Sequence, residues 1–68
     1  MNEETFNLSI RKFLKVVGVS SQREIEQAIA RAMADGTIAG NEHLPVSVTL
    51  ELAGVKLQAR FEGEIQLE

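Results

Sequence analysis

From Val46 to Leu67 apolar and polar residues alternate, and the phase survives a turn. Val46, Val48, Leu50 and Leu52 fall on one side of a strand, with Ser47, Thr49 and Glu51 on the other. Beyond Ala53-Gly54 the apolar set continues as Val55, Leu57, Ala59, Phe61, Ile65 and Leu67. Lys56, Gln58, Arg60, Glu62 and Glu64 make the polar set. A two-residue turn at Ala53-Gly54 would pair Leu52 with Val55, Leu50 with Leu57, Val48 with Ala59 and Val46 with Phe61, leaving Glu51 opposite Lys56 on the wet side. Two strands with one apolar face are not stable alone, so this face must be covered. Phe61, its largest side chain, is the position expected to be most sensitive to truncation, and Glu62 on the wet face the tolerant one.

The first half of the chain switches to helical period. Phe6, Ile10, Phe13, Leu14 and Val17 share one helix face. Asn2 is placed to cap the N-terminus, with Glu3 and Glu4 complementing the helix dipole. Gly18 reads as the end of this helix. Ser21, with Glu24 three residues on, reads as the capping box of a second helix, whose stripe is Ile25, Ala28, Ile29, Ala32 and Met33 and whose stop is Gly36. The expected fold is therefore α+β and a single domain over 1–68: helices over about 3–17 and 22–35 pack on a hairpin of strands over about 46–52 and 55–67. The segment 37–43 is the candidate for a short third strand, and Pro45 fits a strand start. The second strand outruns the first beyond Pro45, so Glu62–Leu67 needs a partner, either residues 37–43 or another copy of the chain.

Size makes a partner more pressing. A chain of 68 residues buries only about 60% of the surface its unfolded form exposes. Without Cys it has neither disulfides nor thiolate metal sites to compensate, and a single histidine, His43, cannot make a multi-histidine site. The net charge of −3 weighs against phosphate binding. No apolar run is long enough to span a membrane, and the acidic Met1-Asn-Glu-Glu start is unlike a signal peptide, so a cytoplasmic location is expected.

Chemistry is harder to find. Glu62 and Glu64 sit two apart on one strand face, a spacing open to paired acid–base work, but the solvated polar face of a strand is the preferred reading, since nothing nearby would bury either. Asn41, Glu42 and His43 offer mixed ligands that cannot all converge on an ion; a surface contact between His43 and Glu64 is the expected arrangement. Ser20 and Ser21 lack a base, and Ser21 is explained by capping. The expectation is no enzyme, no cofactor and no metal.

Two resemblances can be drawn. The run Phe13-Leu-Lys-Val-Val-Gly-Val-Ser, followed by Ile25, Ala28 and Ile29 and by Asp35-Gly36-Thr37-Ile38, resembles the helix-turn-helix of winged-helix regulators. That likeness implies a nucleic-acid-binding alternative in which Arg11, Lys12, Lys15, Arg23 and Arg31 meet phosphates. Against it stand Glu24 and Glu26 at the would-be recognition helix. Over nearly its whole length the chain also resembles a family of short bacterial proteins of unknown function. Met1-Asn-Glu-Glu-x-Phe-Asn-x-Ser, Arg11-Lys-Phe-Leu-Lys-x-Val-Gly-Val, Ser21-Gln-Arg-Glu-Ile-Glu, Gly40-Asn-Glu-x-Leu-Pro, Thr49-Leu and Gly63-x-Ile carry that likeness. It implies a bacterial cytosolic setting and brings no site residues. The leading expectation is a small non-enzymatic interaction module, a homodimer through the Glu62–Leu67 strand edge. Leu8, Arg11, Lys12, Lys15 and Arg23 form a candidate patch for an acidic protein partner.

Overall fold

The computed structural model describes residues 1–68. It contains a single α-helix, α1 (Glu3–Asp35), followed by an antiparallel hairpin of β1 (His43–Leu52) and β2 (Leu57–Gln66), with one turn of 3₁₀ helix at Ala53–Val55 between the strands. The chain divides into two compact units, Met1–Thr37 and Ile38–Glu68.

The two expected helices are one. Both outer ends are as read: the Asn2 side chain accepts the Thr5 N–H at 3.0 Å, and Gly36 closes the helix at φ 78°. The Thr37 N–H then reaches back to the Ala32 carbonyl at 2.9 Å, as in a Schellman closure. Gly18 and Ser21 lie inside the helix. The stop read at Gly18 fails because an interior glycine costs only about 1 kcal/mol relative to alanine, whereas a proline would cost about 3. The two stripes are also in phase. At 3.6 residues per turn, Ile10, Leu14, Val17, Ser21, Ile25, Ala28 and Ala32 fall within about 80° of arc. Their steps of four, three and four repeat every eleven residues: Ile10 is followed by Ser21 and Ala32, Leu14 by Ile25, and Val17 by Ala28. The least exposed helix residues, Val17, Ser21, Ile25, Ile29 and Ala32, all lie on or beside this stripe.

No third strand forms. Residues 37–42 are held instead by two carboxylates. Asp35 accepts the Thr37 N–H at 3.0 Å and its hydroxyl, and Glu42 accepts the N–H groups of Ala39, Gly40 and Asn41 at 2.8, 2.9 and 3.2 Å. Gly40 sits at φ 105°, where a side chain would be strained.

In the hairpin the faces are as read and the register is not. Leu52 pairs with Leu57, Leu50 with Ala59, Val48 with Phe61, Val46 with Gly63 and Leu44 with Ile65; Glu51 meets Gln58 rather than Lys56. The loop has four residues, Ala53 to Lys56. A two-residue loop of either primed type would put Ala53 at positive φ, which its Cβ resists; the longer loop moves the left-handed residue to Lys56, at φ 56°. Lengthening the loop by two residues slides the register by one pleat period, so every side chain keeps its face. β1 also begins earlier than expected, at His43, so Glu62–Gln66 pairs with His43–Ser47 and the Leu67 N–H bonds to the Glu42 carbonyl at 3.0 Å. The expected lack of a partner for this stretch is thereby corrected. That last bond fixes the alternation. Even-numbered residues of β1 bond to β2, while odd-numbered ones, Pro45 included, turn their backbone groups outward; in β2 the outward set is Gln58, Arg60, Glu62, Glu64 and Gln66.

No side chain of the chain is buried. One helix and one two-stranded ladder are each a single layer, whereas a core needs two packed layers. The helical pair expected to cover the sheet does not exist, and Phe61, expected to be the most truncation-sensitive side chain on a covered face, is 60% exposed.

Candidate interaction surfaces

Three surfaces follow from this geometry. The first is the helix stripe from Phe6 to Ala32, on a rod about 50 Å long at 1.5 Å per residue. Phe6, Phe13 and Leu14 on it are about half exposed. The second is the apolar hairpin face, where the β1 set Leu44–Leu52 meets the β2 set Leu57–Ile65, with Val48 beside Phe61.

The third is the polar side of the helix. Leu8, Arg11, Lys12, Lys15 and Arg23, singled out from the sequence, are all exposed and fall within about 120° of one another on α1. Arg31 falls well outside this arc. The continuous helix brings the first five together along one side, centred about 140° round from the stripe. Val19, at the same angle as the patch and 54% exposed, belongs with Leu8 at its apolar centre. The sequence reading missed Val19 because it placed that residue in a loop. The helical path through Gly18 to Ser21 also removes the turn on which the winged-helix likeness depends: there is no second helix to serve as a recognition helix.

The candidate catalytic groups are engaged elsewhere. Glu62 is paired with Arg60 at 3.1 Å, and Glu64 with His43 Nδ1 at 3.2 Å, all four side chains being at least half exposed. The expected His43–Glu64 contact is thus present, made diagonally, since the residue directly opposite His43 is Gln66. His43 Nε2 lies 3.2 Å from the Glu68 carbonyl. The Glu42 carboxyl, a conceivable ligand, is turned onto its own loop. Its pKa is lowered chiefly by the Ala39 N–H and then by that of Gly40. That of Asp35 is lowered by the Thr37 hydroxyl and N–H. Ser20 and Ser21 lie within the helix. A shallow depression crosses the hairpin at Pro45, Val46, Ser47, Arg60, Glu62 and Gly63, and its one ion pair is Arg60 with Glu62.

No helix of the chain is long and apolar enough to cross a membrane. The sequence profile of a family of unknown function, DUF6494, matches residues 1–68, and the chain belongs to that family. No curated protein and no solved structure matches it.

Proposed function

We propose that this member of DUF6494 is a non-enzymatic interaction module that works as a homodimer, in a bacterial cytosolic setting. One observation carries the reading: a helix whose apolar stripe is interrupted only at Ser21 and a hairpin with one apolar face share a chain in which nothing is buried. Three phenylalanines stand between 47% and 60% exposed, and large apolar side chains gathered on one face mark an interaction surface. A second copy is the partner always at hand, and a twofold axis lets one patch cover itself. The engagement of Glu42, Glu62 and Glu64 by neighbouring groups supports a role without catalysis. When the stripe is covered, the Leu8–Arg23 side of the helix stays accessible, a basic rim around apolar residues suited to an acidic protein partner.

The test is molar mass by light scattering across a concentration series. A mass twice the 7.5 kDa chain, with a melting temperature that rises with concentration, is the expected result. A monomer that melts cooperatively and independently of concentration up to several hundred micromolar overturns the reading. Lys12→Glu with Lys15→Glu should leave the dimer intact, since both residues lie off the stripe.

A further inference from the structure

We infer that two copies join through the outer edge of β2, antiparallel, about a twofold axis at Phe61, to make a continuous four-stranded sheet. This rests on the dimeric reading above and adds to it a surface, a register and a set of paired residues.

Each strand of the hairpin has one unpaired edge, and the two edges differ. The outward backbone groups of β1 include Pro45, which has no N–H to give. Those of β2, on Gln58, Arg60, Glu62, Glu64 and Gln66, are all complete. A second β2 laid antiparallel along this edge must pair residues of like parity, or apolar side chains would meet polar ones. That leaves a few registers; those centred near an end of β2, at Ala59 or Ile65, join only a few residues, and charge chooses among the central ones. With the axis at Arg60, two guanidinium groups face each other. With the axis at Glu62, two carboxylates do. With the axis at Gly63, Glu62 meets Glu64 twice. With the axis at Phe61, each Arg60 faces the partner's Glu62, each Gln58 faces Glu64, and no like charges are opposed.

The same register suits the apolar face. Phe61 meets its own copy, Leu57 meets Ile65, and Ala59 meets Gly63, so the two phenyl rings are flanked by the smallest side chains on the strand. Gly63 has no need to be glycine within its own hairpin. A Cβ there would touch only Val46 Cγ1, at an ordinary 3.7 Å, and its φ is not positive. The space it leaves is used by the facing strand. The Arg60–Glu62 pair within each strand, 3.1 Å apart, becomes half of a four-membered cluster with alternating signs. About eight backbone hydrogen bonds would form along the joined edge.

Charge reversal with exchange tests this, read as dimer dissociation constant by sedimentation, with circular dichroism checking that each variant keeps its secondary structure. Arg60→Glu places four carboxylates at the axis and Glu62→Arg four cations; each alone should weaken the dimer at least tenfold. Mixed in equal amounts, the two variants should recover a dimer containing one of each, and the double variant Arg60→Glu/Glu62→Arg should return to wild-type affinity. In a chain without cysteine, Phe61→Cys should crosslink to itself under mild oxidation. Crosslinking at Glu62→Cys in its place would overturn the register. If wild type is dimeric and both single reversals dimerise as tightly, the edge assignment is wrong while the dimeric reading stands; if wild type is monomeric, both fall.

Discussion

The helix and the hairpin are incomplete in different ways. Within α1 the interior backbone groups find their partners about four residues away, and the ends are capped by Asn2 and by Gly36 with Thr37. What the helix lacks is cover for a stripe, and that demand is met by apolar area with little regard to direction. The hairpin lacks cover for a face and also carries rows of unpaired N–H and C=O groups, which bond only to a strand in a fixed register. In the proposed dimer, association through the helix would therefore supply stabilisation with little selectivity, whereas choice of partner would reside in the edge of β2.

The contrast is most exposed to a break in the helix. Ser20→Pro removes an interior N–H and sets a ring against the carbonyl of Val16, at a cost of about 3 kcal/mol or more. Helical signal in the far ultraviolet should fall steeply; were it unchanged, residues 18–21 would be a loop. The sign of Gly18→Ala sharpens the same point. A Cβ at Gly18 meets nothing within 4 Å, so alanine should stabilise the helix by about 1 kcal/mol in a thermal melt. A glycine closing a helix in the left-handed region would make that substitution destabilising instead.

For the hairpin, Lys56→Gly should stabilise by about 1 kcal/mol, because Lys56 alone among non-glycine residues has positive φ. Gly54→Ala should be neutral in the same urea titration, its Cβ meeting nothing within 4 Å. A two-residue turn reverses that order.

The smallest effect belongs to the segment between α1 and β1. Asp35 and Glu42 both have lowered pKa values through hydrogen bonds to their carboxylates. Their contribution is therefore complete above the ordinary carboxylate range and is lost as pH falls through their folded values. Amide exchange at Ala39 and Gly40 should accelerate, beyond its intrinsic pH dependence, between neutral pH and pH about 3. Glu42→Gln should abolish most of that change while leaving the strand amides alone.

How much of this was legible in the sequence depended on the range of the signal. Strand faces were legible because alternation runs over some twenty residues, and a slip of two leaves it intact. The caps at Asn2 and Gly36 were legible because each sits where a long periodic segment begins or ends. Gly18 and the Ser21–Glu24 pair misled because they are short signals of about 1 kcal/mol each, set against the propagation of a helix already formed on both sides. Their phase relation, Ile10 to Ser21 to Ala32, was present in the sequence and would have joined the two stripes. The turn was misread from Gly54, when Ala53 is the residue that forbids the tighter loop. The candidate patch Leu8, Arg11, Lys12, Lys15 and Arg23 was placed on two helices, yet the joined helix sets it on one side because 3.6-residue geometry carries through the break that was expected.

Pro45 has one more consequence. A hairpin with two equivalent sticky margins would add copies at both sides and grow without limit, as fibrils do. In the proposed pair one margin lacks the N–H of Pro45 and the other would be consumed as two copies meet, so growth would terminate after a single step. Replacing Pro45 with threonine would restore the missing donor, and with it a route from a closed pair to an open ribbon.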